Sequence, residues 1–316
     1  MNSFSSRLIQ NWLMLSWLIF YSAISQAGFT TPALTIQMPS QSTIQYHAMG
    51  QKEHPVAFIL GGGPAFSSWN LEPIQQQVAD MGFYAILMDM QGIGENASPL
   101  NGPILPSWIT QIAAVKQSLA PNQSVTLIGH SWGALMAMLY QRAHPDSVNK
   151  LILLNPVDPE KKAMEHLTTE IDQRNTQETS DNTSLEEDWD NSVPENIDLN
   201  KITLRQIQQV LPTYFYDYQL GLKYAQQFSA ADFNIDLNVN TWKEYDANPI
   251  KYHQISAELP KYFMDCTQDY LMPYNLKAMQ AHWSFQQVAV FEKCGHFPWI
   301  ERPTLFTTTL KQFLED

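Results

Sequence analysis

Along this chain the apolar positions change their rhythm four times. Residues 33–38 and 43–47 alternate apolar with polar side chains and are split by Pro39-Ser40-Gln41, which predicts an opening antiparallel hairpin. Continuous β-rich apolar runs then appear at 56–60, 83–89, 125–128 and 150–154, the pattern of strands covered on both faces. Helical spacing fills the intervals at about 71–80, 107–119 and 134–143. Strand and helix alternating in this way predict a doubly wound, mostly parallel sheet with helices on both faces.

After Asn155-Pro156 that rhythm is lost. Residues 158 to about 200 are dominated by Asp, Glu, Asn, Gln and Thr, as in Glu186-Glu187-Asp188-Trp189-Asp190, and this composition predicts an irregular, partly disordered stretch. Helical periodicity returns at 202–228 with an aromatic group that includes Tyr214, Phe215, Tyr216 and Tyr218. The sheet resumes at 261–266 and 288–291, separated by a helix near 274–282 and followed by a last helix at about 303–314. The expectation is an α/β protein with an eight-stranded sheet, its core formed by residues 28–157 and 256–316 and a mainly helical cap inserted at 158–255.

Residues 1–27 stand apart from this pattern. Arg7 is the only basic side chain there, no acid precedes Glu53, and an apolar core runs from Trp12 to about Ile24. Ser25-Gln26-Ala27 then sets small residues where a signal peptidase reads. A signal peptide cleaved near Ala27 is expected, with export to the periplasm or beyond. The alternative is an uncleaved membrane anchor, for which the apolar run is short of the roughly 20 residues a span needs.

Composition narrows the classes of partner. Hydrophobic residues make up 44% of the 316 positions, enough for a large core, while 18 Lys and Arg stand against 31 Asp and Glu for a net charge of −13. Phosphate recognition needs clustered cations, so nucleic acid is not an expected partner. No nucleotide loop is visible, and the histidines other than His296 show no metal-ligand spacing. Neither cofactor nor metal is expected, and membrane contact is expected only through the signal segment.

The chemistry concentrates at Gly129-His130-Ser131-Trp132-Gly133, which sits between a buried strand and a helix. A serine on such a sharp turn exposes its hydroxyl, and the flanking glycines leave room for the turn. Negative charge there is favoured by the helix N-terminus. A serine nucleophile needs a base, and the base an orienting carboxylate. His296 follows the strand at 288–291, and Asp269 follows the strand at 261–266, both at the carboxyl ends where catalytic groups of open sheets gather.

Four motifs together resemble the α/β-hydrolase superfamily and, within it, the proline-iminopeptidase branch: Leu60-Gly61-Gly62-Gly63-Pro64, the Asp89…Gly92-x-Gly94 loop, the Gly129–Gly133 pentad, and the run from Gly295-His296-Phe297-Pro298-Trp299 to Pro303. The resemblance covers about 55–156 and 259–316. It implies Ser131 as nucleophile, His296 as base, Asp269 as acid, and an oxyanion hole from the N–H groups of Trp132 and of Gly63 or Gly62. The chain departs from the branch where H-G-G-P-G reads G-G-G-P-A, with Gly61 and Ala65, and where D-Q-R-G-x-G-x-S carries Gln91 and Asn96. Acids that grip a free amine lie in the family's insertion; Glu186, Glu187 and Asp188 are the chemically suitable candidates.

Two other aspartates compete for the acid role. Asp158 follows the sixth strand, and Asp265 ends the seventh, where alternation points it away from the site if Cys266 points toward it. The cysteines flank the same loops: Cys266 precedes Asp269 by three residues and Cys294 precedes His296 by two. A hydrogen bond between Asp269 and His296 would bring them within disulfide reach, so a Cys266–Cys294 bridge is expected. The functional expectation is a serine hydrolase acting on a small molecule or short peptide, first an aminopeptidase of proline-iminopeptidase type, with a carboxylic-ester hydrolase or lactonase as alternative. A non-catalytic binding module on the same fold is the alternative of another class.

Overall fold

The computed structural model describes residues 28–38, 42–181 and 199–316. The segment ending at Ala27 and the acidic residues Glu186, Glu187 and Asp188 lie outside them. In chain order the elements are β1 (Leu34–Gln37), β2 (Thr43–Met49), β3 (Val56–Leu60), α1 (Glu72–Asp80), β4 (Tyr84–Leu87), α2 (Ile104–Leu119), β5 (Val125–His130), α3 (Trp132–Ala143) and β6 (Val148–Leu154). Then come α4 (Met164–Asp181), α5 (Leu199–Val210), α6 (Tyr218–Ala225), α7 (Ile235–Ala247), β7 (Lys261–Cys266), α8 (Met272–Gln280), β8 (Gln287–Phe291), α9 (Pro298–Glu301) and α10 (Pro303–Glu315).

The strands form one eight-stranded sheet in the order β1-β2-β4-β3-β5-β6-β7-β8. β1 and β2 pair as the expected antiparallel hairpin, with Leu34 opposite Tyr46, and β2 runs antiparallel to β4. From β4 to β8 every pairing is parallel. This is the doubly wound, mostly parallel sheet that the alternation of strands and helices predicts, in the α/β-hydrolase arrangement that the motif resemblance implies.

Double coverage explains the unbroken apolar runs. In β3, Val56, Phe58 and Leu60 pack on one face with Trp108 and Ile112 of α2 and Leu135 and Leu139 of α3. Ala57 and Ile59 pack on the other with Ile74 and Val78 of α1 and Phe306 and Leu310 of α10. A strand with both faces dry has no polar positions to alternate. The carboxyl ends of β3, β5, β6, β7 and β8 consequently meet along one rim.

Between β6 and β7 the chain leaves the sheet, and here the fold departs from expectation. Residues 164–181, read as irregular from their polarity, form the helix α4. Met164, Leu167 and Ile171 lie at helical spacing, and they give this otherwise polar segment its apolar stripe. The apparently continuous helix at 202–228 is broken: α5 ends at Val210, Leu211–Tyr214 form a 3₁₀ turn containing Pro212, and α6 restarts behind an Asp217 cap that accepts the Leu220 N–H at 3.1 Å. Proline removes a backbone donor and disfavours continuation.

The packing yields a first prediction. Phe58→Ala opens a cavity in the central strand and lowers unfolding free energy by about 3–5 kcal/mol, read from urea unfolding. Leu305→Ala, on the 52% exposed Leu305 of α10, changes it by no more than about 0.5 kcal/mol. Equal effects of the two would contradict this account of the core.

Candidate active site

Ser131 stands at the junction of β5 and α3 with φ 57° and ψ −121°, a conformation unfavourable for a residue with a Cβ. The surrounding contacts hold it there. Its N–H donates to the Leu154 carbonyl at 3.0 Å, and its own carbonyl accepts from Ala134 at 3.1 Å and from Val157 at 3.2 Å. A Cβ on Gly129 would lie 2.6 Å from the Ala134 Cα, and one on Gly133 would lie 2.7 Å from the Gly61 carbonyl oxygen and against that of Leu60. Only glycine permits this crossing of β3, β5 and α3.

The loop after β3 covers the serine. A Cβ on Gly62 would sit 3.2 Å from the Ser131 Cβ, and Gly63 has φ 121°. Among the described residues the N–H groups of Gly62, Gly63 and Trp132 have no protein acceptor. Trp132 begins α3, so its N–H also belongs to the positive end of the helix. Its indole packs 4.6 Å from Trp242 of α7, which seats the insertion on the elbow.

The departures at Gln91 and Asn96 have internal roles. Gln91 donates to the Pro99 carbonyl at 3.0 Å. Asn96 spans Gln45 and Asp89, accepting from Gln45 N–H at 2.8 Å and donating to the carbonyls of Gln45 and Asp89 at 2.8 Å each. The Asp89 carboxylate in turn accepts the Ser68 N–H at 2.7 Å. Burial pushes this carboxyl up to about 6, although the Ser68, Glu95 and Ser67 donors act against the rise.

Asp269 and His296 meet across the loops after β7 and β8. His296 Nδ1 donates to Asp269 Oδ2 at 2.6 Å. Asp269 Oδ1 accepts the Leu271 N–H at 3.0 Å, and Oδ2 also accepts from Asn155 Nδ2 at 2.8 Å. Burial alone would raise this carboxyl; the His296 imidazole and the hydrogen-bond donors outweigh it and hold it below the ordinary aspartate range. A disulfide joins Cys266 to Cys294 with Cα atoms 5.3 Å apart, and the Gln268 N–H donates to the Cys294 carbonyl at 3.2 Å. The two loops are thus tied covalently and by hydrogen bonds.

The competing aspartates are placed differently. Asp158 caps its own turn, accepting from Glu160 N–H at 2.9 Å and Lys162 N–H at 3.1 Å, with the Tyr252 hydroxyl 3.3 Å away. Asp265 does not point away from the site. Strand alternation holds, with Cys266 crossing to Cys294, but the chain curls back through an Asp269 N–H to Cys266 carbonyl bond and brings Asp269 onto the Asp265 side.

Several residues at the site have roles that the motifs do not announce. His130 Nε2 donates to the His296 carbonyl at 2.9 Å, whereas inside the pentad it reads as packing. Burial, reinforced by His296, drops its pKa to about 3, so it is a neutral donor. Glu301 accepts the Gly295 N–H at 2.7 Å with one oxygen and the Asp217 N–H at 3.0 Å with the other, joining the His296 loop to the insertion. The Tyr214 carbonyl accepts the His296 N–H at 2.8 Å, and its ring lies 5.3 Å from the imidazole. Asn155 has φ 43°, a left-handed conformation asparagine tolerates. Among the described residues no group of three or more His, Cys, Asp or Glu side chains is placed to hold a metal ion.

With this geometry in hand, a family model described as alpha/beta hydrolase fold matches residues 55–303. A proline iminopeptidase of Lactobacillus helveticus (strain DPC 4571) is 23% identical over 281 residues, which cover 85% of this chain and 93% of that protein. Among solved structures, an esterase from Exiguobacterium antarcticum superposes with a TM-score of 0.64 at 18% identity, covering 90% of this chain and all of that one. A proline iminopeptidase-related protein from Thermus thermophilus gives a TM-score of 0.63 at 15% identity, covering 90% of this chain and 97% of that one.

Two predictions follow from this geometry. Gly133→Ala forces a methyl against two carbonyls and costs about 1–3 kcal/mol or more, whereas Gly102→Ala, with open space around it, leaves the thermal midpoint unchanged. Thiol titration of the denatured protein gives no free thiol before reduction and two after it; equal values with and without reductant would exclude the bridge.

Proposed function

The chain belongs to the α/β-hydrolase family of hydrolases, and from that premise we propose that it is an exported serine hydrolase working through Ser131, His296 and Asp269. The observation that carries the reading is the 2.6 Å bond from His296 Nδ1 to a buried carboxylate, on a rim shared with a serine held at a strained elbow. A carboxylate on Nδ1 selects the tautomer whose Nε2 accepts a proton. His296 takes the Ser131 proton as the Oγ attacks an acyl carbonyl. The oxygen then becomes anionic and is met by the N–H groups of Trp132 and of Gly63 or Gly62. His296 passes its proton to the departing amine or alcohol, leaving an acyl-enzyme. Water, deprotonated by His296, releases the acid and restores the serine.

Within this class the first choice is an aminopeptidase of proline-iminopeptidase type acting on short peptides. The relative named above is matched over 85% of this chain, and the four motifs resemble that branch apart from the departures at Gly61, Ala65, Gln91 and Asn96. Glu186, Glu187 and Asp188 are the proposed grip on the substrate's free amine. A carboxylic-ester or lactone substrate is the second reading, favoured by the altered positions Gly61, Ala65, Gln91 and Asn96. Export is proposed from the composition of residues 1–27, and the Cys266–Cys294 disulfide suits an oxidising compartment.

The test is a side-by-side assay of a prolyl-arylamide and short-chain aryl esters. Turnover of the arylamide, abolished in Ser131→Ala, is expected, and Asp269→Asn lowers kcat by roughly 10⁴-fold while Asp158→Asn stays within a few-fold of wild type. Ester-only turnover would replace the peptidase by the second reading. Undiminished turnover in Ser131→Ala would overturn the serine mechanism altogether.

A further inference from the structure

Directly beneath Asp269 lies a second buried carboxyl group that the proposed chemistry does not use. Asp265 is completely buried at the end of β7. Its Oδ1 accepts from Asn155 Nδ2 at 2.7 Å and from the Cys266 N–H at 2.8 Å. Its Oδ2 is buried and receives no donor from the described residues. The same Asn155 nitrogen serves Asp269 Oδ2 at 2.8 Å, so one amide spans both carboxyl groups.

We propose that Asp265 is a positioning residue for the reaction: a neutral carboxylic acid whose Oδ2 proton is donated to the Asp269 carboxylate, fixing with Asn155 the group that orients His296. The proposal rests on the roles proposed above for Ser131, His296 and Asp269.

An ionised carboxylate offers acceptors at both oxygens and needs donors at both. Asp265 has them at one oxygen only, and the shared Asn155 nitrogen, 2.7 Å from Asp265 Oδ1 and 2.8 Å from Asp269 Oδ2, sets the two carboxyl groups side by side. The donors around the pair are divided unequally. Asp269 holds the His296 Nδ1–H, the Leu271 N–H and a share of Asn155, and so is the natural seat of the charge. Two adjacent buried carboxylates cannot both ionise cheaply. Burial and the neighbouring Asp269 charge push the Asp265 carboxyl well above its ordinary range, in keeping with this division. The ionisable groups facing the pair are the imidazoles of His296 and His130 and the Tyr214 phenol. Burial keeps His130 neutral and raises the phenol further from ionisation, with the Asp269 charge adding to the rise.

Asparagine reproduces a protonated aspartate: its amide donates where the acid did, and its oxygen accepts where Oδ1 did. Asp265→Val removes both functions. With p-nitrophenyl acetate, Asp265→Val lowers kcat by about ten- to a hundredfold, the size of one hydrogen bond to a charged group. Asp265→Asn restores most of that loss and leaves the acid limb of the kcat/KM–pH profile where wild type has it. An acid limb moved down by about one unit in Asp265→Asn would mean that a negative charge had been removed from beside His296, and would overturn the proposal. So would equal activities of the valine and asparagine variants.

Infrared difference spectroscopy of resting wild type against Asp265→Asn at pH 8 supplies a readout free of turnover. A protonated-carboxyl stretch present only in wild type is expected, and its absence overturns the proposal even if Asp265→Val fails to fold. The band is independent of acylation at Ser131. Failure of the serine mechanism therefore leaves Asp265→Asn differing from wild type by that band alone, whereas failure of this inference removes the band and leaves hydrolysis intact.

Discussion

The structure is organised around one buried hydrogen bond, from His296 Nδ1 to Asp269 Oδ2 at 2.6 Å. A carboxylate withdrawn from water is costly unless it is paired and fully hydrogen-bonded. Asp269 receives the His296, Leu271 and Asn155 donors at that position, and the disulfide behind it keeps the β7 and β8 loops from separating. His130 and Tyr214 then secure the backbone of His296 from two sides, and Glu301 secures Gly295. His296 is therefore immobilised through its main chain while its ring is oriented by a single carboxylate. Orientation of this kind is where catalytic groups gain most.

The insertion contributes to that immobilisation as well as covering the sheet. Tyr214 lends its carbonyl to His296, Asp217 shares Glu301 with Gly295, and Trp242 packs against Trp132 beside the elbow. A Cβ on Gly295 would meet the Tyr214 carbonyl, which shows how closely the two backbones approach. The insertion is thus tied mechanically to the His296 loop and to the elbow.

Much of this could be read along the chain because the requirement was local. The elbow at Ser131 needs its glycines within two residues on either side, and β3 needs apolar side chains on both faces, so each leaves a contiguous trace. The loops of Asp269 and His296 follow directly from the strands before them, and the cysteines lie within three residues of each. What escaped depends on tertiary return. Helix α4 hides because Met164, Leu167 and Ile171 are its apolar stripe in a polar background. His130 and Asn155 act on groups more than 100 residues away, and Glu301, although inside the Gly295-to-Pro303 motif, acts by accepting a backbone N–H that no side-chain pattern marks. Alternation put Asp265 and Cys266 on opposite sides, as found, but it says nothing of the turn that carries Asp269 back over Asp265.

The central claim is that Ser131 is a nucleophile activated by His296. It is tested most directly by treating the native protein with a fluorophosphonate and mapping the adduct by peptide mass spectrometry. The account predicts one adduct, on Ser131, that is lost in Ser131→Ala and forms far more slowly in His296→Ala. An unlabelled Ser131 in folded protein, or labelling equally fast without His296, would contradict it.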